Sequence, residues 1–231
     1  MKKLLCLLML IAGTAVLARA ADDTQKIDSR LTAAKNTIDE IMSVPDKSVP
    51  DGIARNAVCV GVVPGMKKGA FVVGGEYGQG VVTCRTSSGW SAPVFIRMAG
   101  GSFGFQIGGQ GTDLVLVAVN DKGFQDLLHD KFKIGGDASA AAGPVGRDAQ
   151  ASTDLKMRAE LLTWSRSRGA FAGIDLNGVS VSQNREDTDA VYGGSHSFDQ
   201  ILHGSVPPPE AAEPFLHAVS RYFGNAQAAS R

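Results

Sequence analysis

Between Gly61 and Gly111 the chain places fourteen of its 28 glycines among short runs of valine, isoleucine and phenylalanine. The runs read AVCVGVVPG, GAFVVGGEYGQGVVTCR, SAPVFIRM, SFGFQIGGQG and TDLVLVAVN. Short runs of β-branched and aromatic residues bounded by turn formers make strands. Glycine inside a strand marks a bulge, a sharp bend or the close approach of another backbone. This pattern predicts a strongly curved antiparallel sheet or small barrel over about residues 57–120, with Gly74, Gly78, Gly80, Gly104 and Gly108 at the bends.

The flanking segments change period. Ile27, Leu31, Ala34, Ile38 and Ile41 are spaced by three and four residues, so 24–42 reads as a helix with one apolar face, stopped by Pro45. Its polar residues mix both signs, so packing on the chain's own sheet is expected in place of lying on a membrane. DKGFQDLLHD, residues 121–130, reads as a short helix, and KFKIGGDASAAAGPVGR, residues 131–147, as a small-residue loop. AELLTWSRS, GAFAGIDLNG and VSVSQN read as strands, with a turn at Asn177-Gly178. Helical segments are expected around 184–191, 197–202 and 214–223. Trp90 and Trp164 are expected to be largely buried, because indole carries a large apolar surface. With 44% hydrophobic residues in 231 the chain can bury a sizeable core. The expectation is one α+β domain with its core at about residues 24–225, a curved glycine-rich antiparallel sheet or small barrel flanked by helices.

Residues 1–20 read as a separate object. Lys2 and Lys3 precede an apolar stretch from Leu4 to Leu17, and Ala18-Arg19-Ala20 has the small-x-small form of a signal-peptidase site. The stretch is shorter than the ~20 residues of a spanning helix. Export with cleavage after Ala20 is expected, leaving 21–231 as the mature domain, soluble in the periplasm or outside the cell. Cys6 lies too early in the apolar stretch to carry a lipid. Cleavage leaves 20 basic and 23 acidic residues, a net charge of −3, which argues against a nucleic-acid partner. It also leaves Cys59 and Cys84 in an oxidising compartment. A bridge between their strand-like runs is conceivable; two buried thiols acting as small hydrophobes are the favoured alternative, because a chain of this length needs no disulfide framework.

Catalytic signals are weak. Gly100-Gly101-Ser102-Phe103-Gly104 has the G-x-S-x-G form of a hydrolase elbow, but that motif needs a helix after the serine, and the following FQIGGQG cannot form one. The four histidines show no i,i+4 pair and the two mature cysteines are 25 residues apart, so no metal is expected. No glycine cluster has phosphate-loop spacing, and no cofactor is expected. What remains is three basic pairs beside glycine and phenylalanine: Lys67-Lys68, Lys131 with Lys133, and Arg166 with Arg168. Read as turns, they would offer ammonium and guanidinium groups plus backbone N–H donors to an anionic head group. Phe71, Phe132 and Phe171 would then be apolar contacts at the acyl boundary.

The segments GGEYGQGVVTCR, GWSAPVFI, GFQIGGQGTDLVLV, WSRSRGAFAGIDLNG and DAVYGGSHSFDQILHG occur in an order that resembles the SYLF-domain family. The resemblance runs from the first helix to the last. It implies a binding domain and not an enzyme: eukaryotic members bind phosphoinositides, some bind actin filaments, and exported bacterial relatives look like phospholipid-binding proteins. Export would separate this chain from cytosolic actin, so the expected partner is anionic phospholipid or a membrane surface. The competing readings are a structural or partner-binding envelope protein and, remotely, a serine hydrolase using Ser102.

Overall fold

The computed structural model describes residues 23–44, 48–71, 73–103, 108–137, 139–143, 160–168, 176–194 and 196–224. The leader region, Gly104 and Phe171 lie outside these residues. Helix α1 spans 23–42, and its five periodic apolar residues are all buried, as the spacing predicts. After the short helix α2 (Asp51–Arg55) come β1 (Cys59–Phe71), β2 (Val73–Thr86), β3 (Gly89–Trp90), β4 (Val94–Phe103) and β5 (Gly108–Ala118). Helix α3 (Asp121–Leu128) follows, its first turn held by the Asn120 side chain, which accepts from Gly123 N at 2.9 Å. Then come β6 (Lys131–Lys133), β7 (Ala140–Ala142), β8 (Leu161–Arg168) and β9 (Ser180–Gln183). The chain closes with α4 (Arg185–Tyr192), α5 (Phe198–Leu202) and α6 (Glu213–Phe223).

The strands form one curled sheet in the order β6-β9-β4-β2-β1-β5-β8-β7, with β3 paired to β2. Every pairing is antiparallel except β7 with β8. This is the curved, helix-flanked α+β sheet that the glycine pattern predicts, in half-barrel form. The segment read as a loop at 131–147 carries two strands, β6 and β7. Each has only three residues, too few to show a period, and each is formed by pairing with a strand distant in sequence.

Alternation along the strands separates two apolar layers. Val62, Val81, Phe95, Val115 and Trp164 pack with α1, α2 and α6 on one face. Met98, Leu114, Leu116, Phe132 and Val181 pack with α5 on the other. A bulge in β1 between Val63 and Met66, with Gly65 at φ +58°, shifts the register with β2 and β5. Gly78 and Gly80 sit against that bulge: a Cβ on Gly80 would lie 2.4 Å from the Val62 carbonyl oxygen. Neither glycine has a positive φ, so close approach of strands, and not a turn, requires them.

Trp164 is buried, whereas Trp90 is half-buried and donates its indole N–H to the Gly224 carbonyl at 2.8 Å. Arg85 stacks on the Trp90 ring and donates to the carbonyls of Ala57 and Phe223 at 2.9 and 2.8 Å, tying the ends of α2 and α6 to the sheet. Burial lowers the Arg85 guanidinium from its ordinary range. Burial likewise raises the Tyr192 phenol, which donates to the Pro93 carbonyl at 2.7 Å.

Cys59 and Cys84 are bonded as a disulfide, which corrects the reading of two separate thiols. They are direct register partners across β1 and β2, with Cα atoms 4.0 Å apart. The neighbouring pair exchanges a backbone bond from Arg85 N to Val58 O at 2.7 Å, so the cysteines occupy the closer, non-hydrogen-bonded type of position. Register placed them together, and register cannot be read from local sequence.

Candidate functional site

None of the three basic pairs sits on a turn. Lys67 and Lys68 lie within β1, Lys131 and Lys133 within β6, and Arg166 and Arg168 within β8. Alternation therefore sends Lys67 and Lys68 to opposite faces of the sheet, Lys67 opposite Tyr77 and Lys68 opposite Glu76. It keeps Lys131 with Lys133 on a common face.

The register does bring cations from different pairs into line. Lys67 pairs with Tyr77 and with Gly111, Gly111 pairs with Arg168, Tyr77 with Ala99, Ala99 with Ser180, and Ser180 with Lys133. One row thus crosses seven strands on the face that carries α1. Lys67 and Arg168 are two strand steps apart, roughly 10 Å between backbones. Gly111 stands between them, and a Cβ there would meet nothing within 4 Å. Lys67 is exposed, and Tyr77 is 48% exposed, an uncommon position for a large aromatic ring.

Beside this row a cleft of about 620 Å³ opens between α1 and the bulged part of β1, β2 and β5. Lys67, Tyr77, Gln79 and Asp113 line the sheet side; Arg30, Asn36 and Glu40 line the helix side. Two polar clamps hold α1 across it. Arg30 pairs with Asp187 at 2.5 Å, donates to Gln79 Oε1 at 2.8 Å and lies over the Phe95 ring. Arg166 pairs with Asp113 at 2.8 Å and also with Glu40. Asp113 in turn accepts from Gly65 N at 2.8 Å, fixing the bulge. Arg166 is therefore a structural cation, which revises its reading as a head-group ligand. Lys67 has no ion pair with any carboxylate among the described residues.

Phe132 is also revised: it is only 3% exposed, packed inside the second apolar layer, and cannot be an acyl contact at a surface. An exposed–buried–exposed alternation along Lys131, Phe132 and Lys133 explains this, and two flanking lysines on an edge strand were the available signal. Phe71 ends β1 in register with Val73. The sequence reading missed Tyr77, although an aromatic ring flanked by glycines in a strand was visible in GGEYGQG. It also missed the clamps, whose partners are up to 157 residues apart. Ser102 lies within β4, paired with Gly74, and not at a strand-to-helix turn, so the hydrolase elbow has no structural counterpart. Among the described residues no group of three His, Cys, Asp or Glu side chains is placed to hold a metal, and no helix is long and apolar enough to cross a membrane.

Residues 99–222, from the end of β4 to α6, match the Ysc84 family model, described as a Las17-binding protein actin regulator. The chain is 32% identical over 183 residues to Protein YSC84 of Saccharomyces cerevisiae, a match covering 77% of this chain and 39% of that protein. It is 33% identical over 171 residues to SH3 domain-containing YSC84-like protein 1 of Homo sapiens, covering 73% and 50%. A Schizosaccharomyces pombe protein, SH3 domain-containing protein PJ696.02, is 30% identical over 181 residues, covering 77% and 42%. The matches span half or less of each of these relatives. With a family match over more than half of its length and the segment order noted above, the chain belongs to the Ysc84, or SYLF-domain, family.

Proposed function

We propose that this chain is a non-enzymatic, exported protein of the cell envelope that binds anionic phospholipid at the α1 cleft. The observation that carries the reading is the register row that sets Lys67 beside the exposed Tyr77 along the cleft, with the backbone of Arg168 two strand steps from Lys67 on the same row. Lys67 and Arg168 supply charge for a lipid phosphate, and Tyr77 supplies an amphipathic ring of the kind that settles at a membrane–water boundary. Near an anionic surface each cation contributes about 1 kcal/mol. Vesicle flotation of the mature chain should therefore be strong with phosphatidylglycerol vesicles and weak with phosphatidylcholine vesicles. Binding by a Lys67→Ala/Arg168→Ala variant should fall by about 30-fold, corresponding to about 2 kcal/mol. Salt should weaken binding only in part, since Tyr77 contributes apolar burial that is not screened. Equal flotation on both vesicle types, or none on either, would defeat the reading.

Export is part of the same proposal. The leader pattern of residues 1–20 supports it, as does a disulfide whose two cysteines are 0% and 1% exposed, a bond suited to an oxidising compartment. Protein recovered from the envelope fraction of the expressing cell should have an intact mass beginning at Ala21. A mass that includes Met1 would refute export with cleavage.

The family description favours a second reading, regulation of actin. Co-sedimentation with actin filaments, unaffected by the Lys67→Ala/Arg168→Ala change, would favour it over lipid binding.

A further inference from the structure

A second cleft, of about 680 Å³, lies at the other end of the same register row. Its walls are Lys131, Lys133 and Asp137, and its floor is built from Ala99, Gly100 and Gly101, with Ser180 and Gly178 at the side. Lys131 and Lys133 are alternate residues of an edge strand, so their side chains leave the same side about 7 Å apart, and both are exposed. Neither ammonium has a carboxylate partner among the described residues. The Asp137 carboxylate instead accepts from the backbone N–H of Lys133 at 2.8 Å, closing the turn after β6. The Lys133 stem passes Gly136 and Gly178, where a Cβ built at either would lie in ordinary contact with it at 3.8 Å. The floor beneath is open: a Cβ on Gly101 would meet nothing within 4 Å.

From this geometry we infer that the chain has a second lipid-phosphate site, in the cleft between β6 and the end of β4, separate from the one at α1. The inference rests on the lipid-binding reading given above and names its second point of contact. Two ammonium groups and one carboxylate leave a local charge of +1, which matches the single negative charge of a phosphodiester. The floor of Ala99 and glycine backbone, open above Gly101, leaves room for the glycerol and upper acyl carbons of an amphiphile; inorganic phosphate would gain nothing from it. Four strand steps, roughly 19 Å along the sheet, separate Lys133 from Lys67. One head group cannot span that distance, so the two clefts take two lipid molecules.

The test is an amide chemical-shift titration of the mature chain with dihexanoyl phosphatidylglycerol kept below its micelle concentration. Two separable sets of shifts are expected, one around Lys67 and Tyr77, the other around Lys131–Lys133, Gly101 and Gly178. Lys131→Ala/Lys133→Ala should abolish the second set and leave the first. Gly101→Asp, which adds a carboxylate from the opposite strand into open space and leaves β6 unchanged, should do the same. Lys131→Arg/Lys133→Arg should retain both sets. A wild type whose shifts are confined to the first set would overturn the second site while leaving the lipid-binding reading intact. So would a second set that survives Gly101→Asp and the double alanine change, or one produced equally by inorganic phosphate at the same concentration. Absence of both sets, together with absence of flotation, would remove the underlying reading and this inference with it.

Discussion

Reducing the Cys59–Cys84 disulfide, or replacing both cysteines by serine, is expected to lower stability by about 3 kcal/mol, the loop-closure value for a cross-link spanning a loop of this size. The bond joins residues with a sequence separation of 25, at the point where α2 delivers the chain into β1. Beside it, Arg85 ties the ends of α2 and α6 to the sheet, so a loosened β1–β2 register would be felt at both helices. For a chain of this size a loss of 3 kcal/mol corresponds to a fall in Tm of about 6–12 °C. Serine adds a further cost, because both positions are closed to water and a hydroxyl there needs a hydrogen-bond partner. Thermal denaturation of the oxidised, reduced and serine forms checks the magnitude. Equal Tm for oxidised and reduced protein would contradict it. Burial makes a second, kinetic expectation part of the same test: in the folded chain a thiol reductant should react at the rate of opening, well below its rate with the urea-unfolded chain.

Gly80→Ala is expected to be at least as damaging, with a loss of 3 kcal/mol or more on the order of a severe overpacking change. The added methyl would lie 2.4 Å from the Val62 carbonyl oxygen and 2.7 Å from Val63 Cγ2. The first of these is backbone of the adjacent strand in the centre of the sheet, held by pairing with both β2 and β5, so it cannot step aside without breaking the ladder. Gly101→Ala provides the contrast on β4. There a Cβ meets nothing within 4 Å and φ is not positive, so the change should be neutral or slightly stabilising through reduced freedom of the unfolded chain. Urea denaturation of the two variants beside wild type decides the matter. A Gly80→Ala variant within 1 kcal/mol of wild type would show that β1 can yield at its bulge, and the argument from close approach would be wrong.

Much of the fold was legible because it follows local rules. The apolar spacing of α1 appears where its pattern places it, and the stretch between residues 57 and 120 is strand-rich as expected, but the strand ends differ: GAFVVGGEYGQGVVTCR is divided between β1 and β2, and SFGFQIGGQG between β4 and β5. The turn at Asn177-Gly178 also falls where its pattern places it, and Gly178 there has φ +85°. The short strands β6 and β7 were not legible, since three residues cannot display a period and their existence depends on partners elsewhere. The basic pairs were visible as composition but misread as turns, because glycine neighbours signal a turn and a strand interior equally well. Gly78 and Gly80 were correctly singled out as constrained, yet the constraint is crowding by the β1 bulge and not a bend of their own.

The candidate site divides along the same line. Sequence by itself determined which residues carry charge, which helix face is apolar, that the stretch between residues 57 and 120 is strand-rich, and which glycines the sheet constrains. Tertiary structure alone decided that Lys67 and Lys68 part to opposite faces while Lys67 lines up with Arg168, that Arg166 is engaged by Asp113 and Glu40, that Phe132 is core, and that Cys59 meets Cys84. The reason is physical. Strand formation and helix periodicity depend on residues a few positions apart, whereas register is set by the pairing of whole strands. A shift of one residue would move every side chain of a strand to the other face.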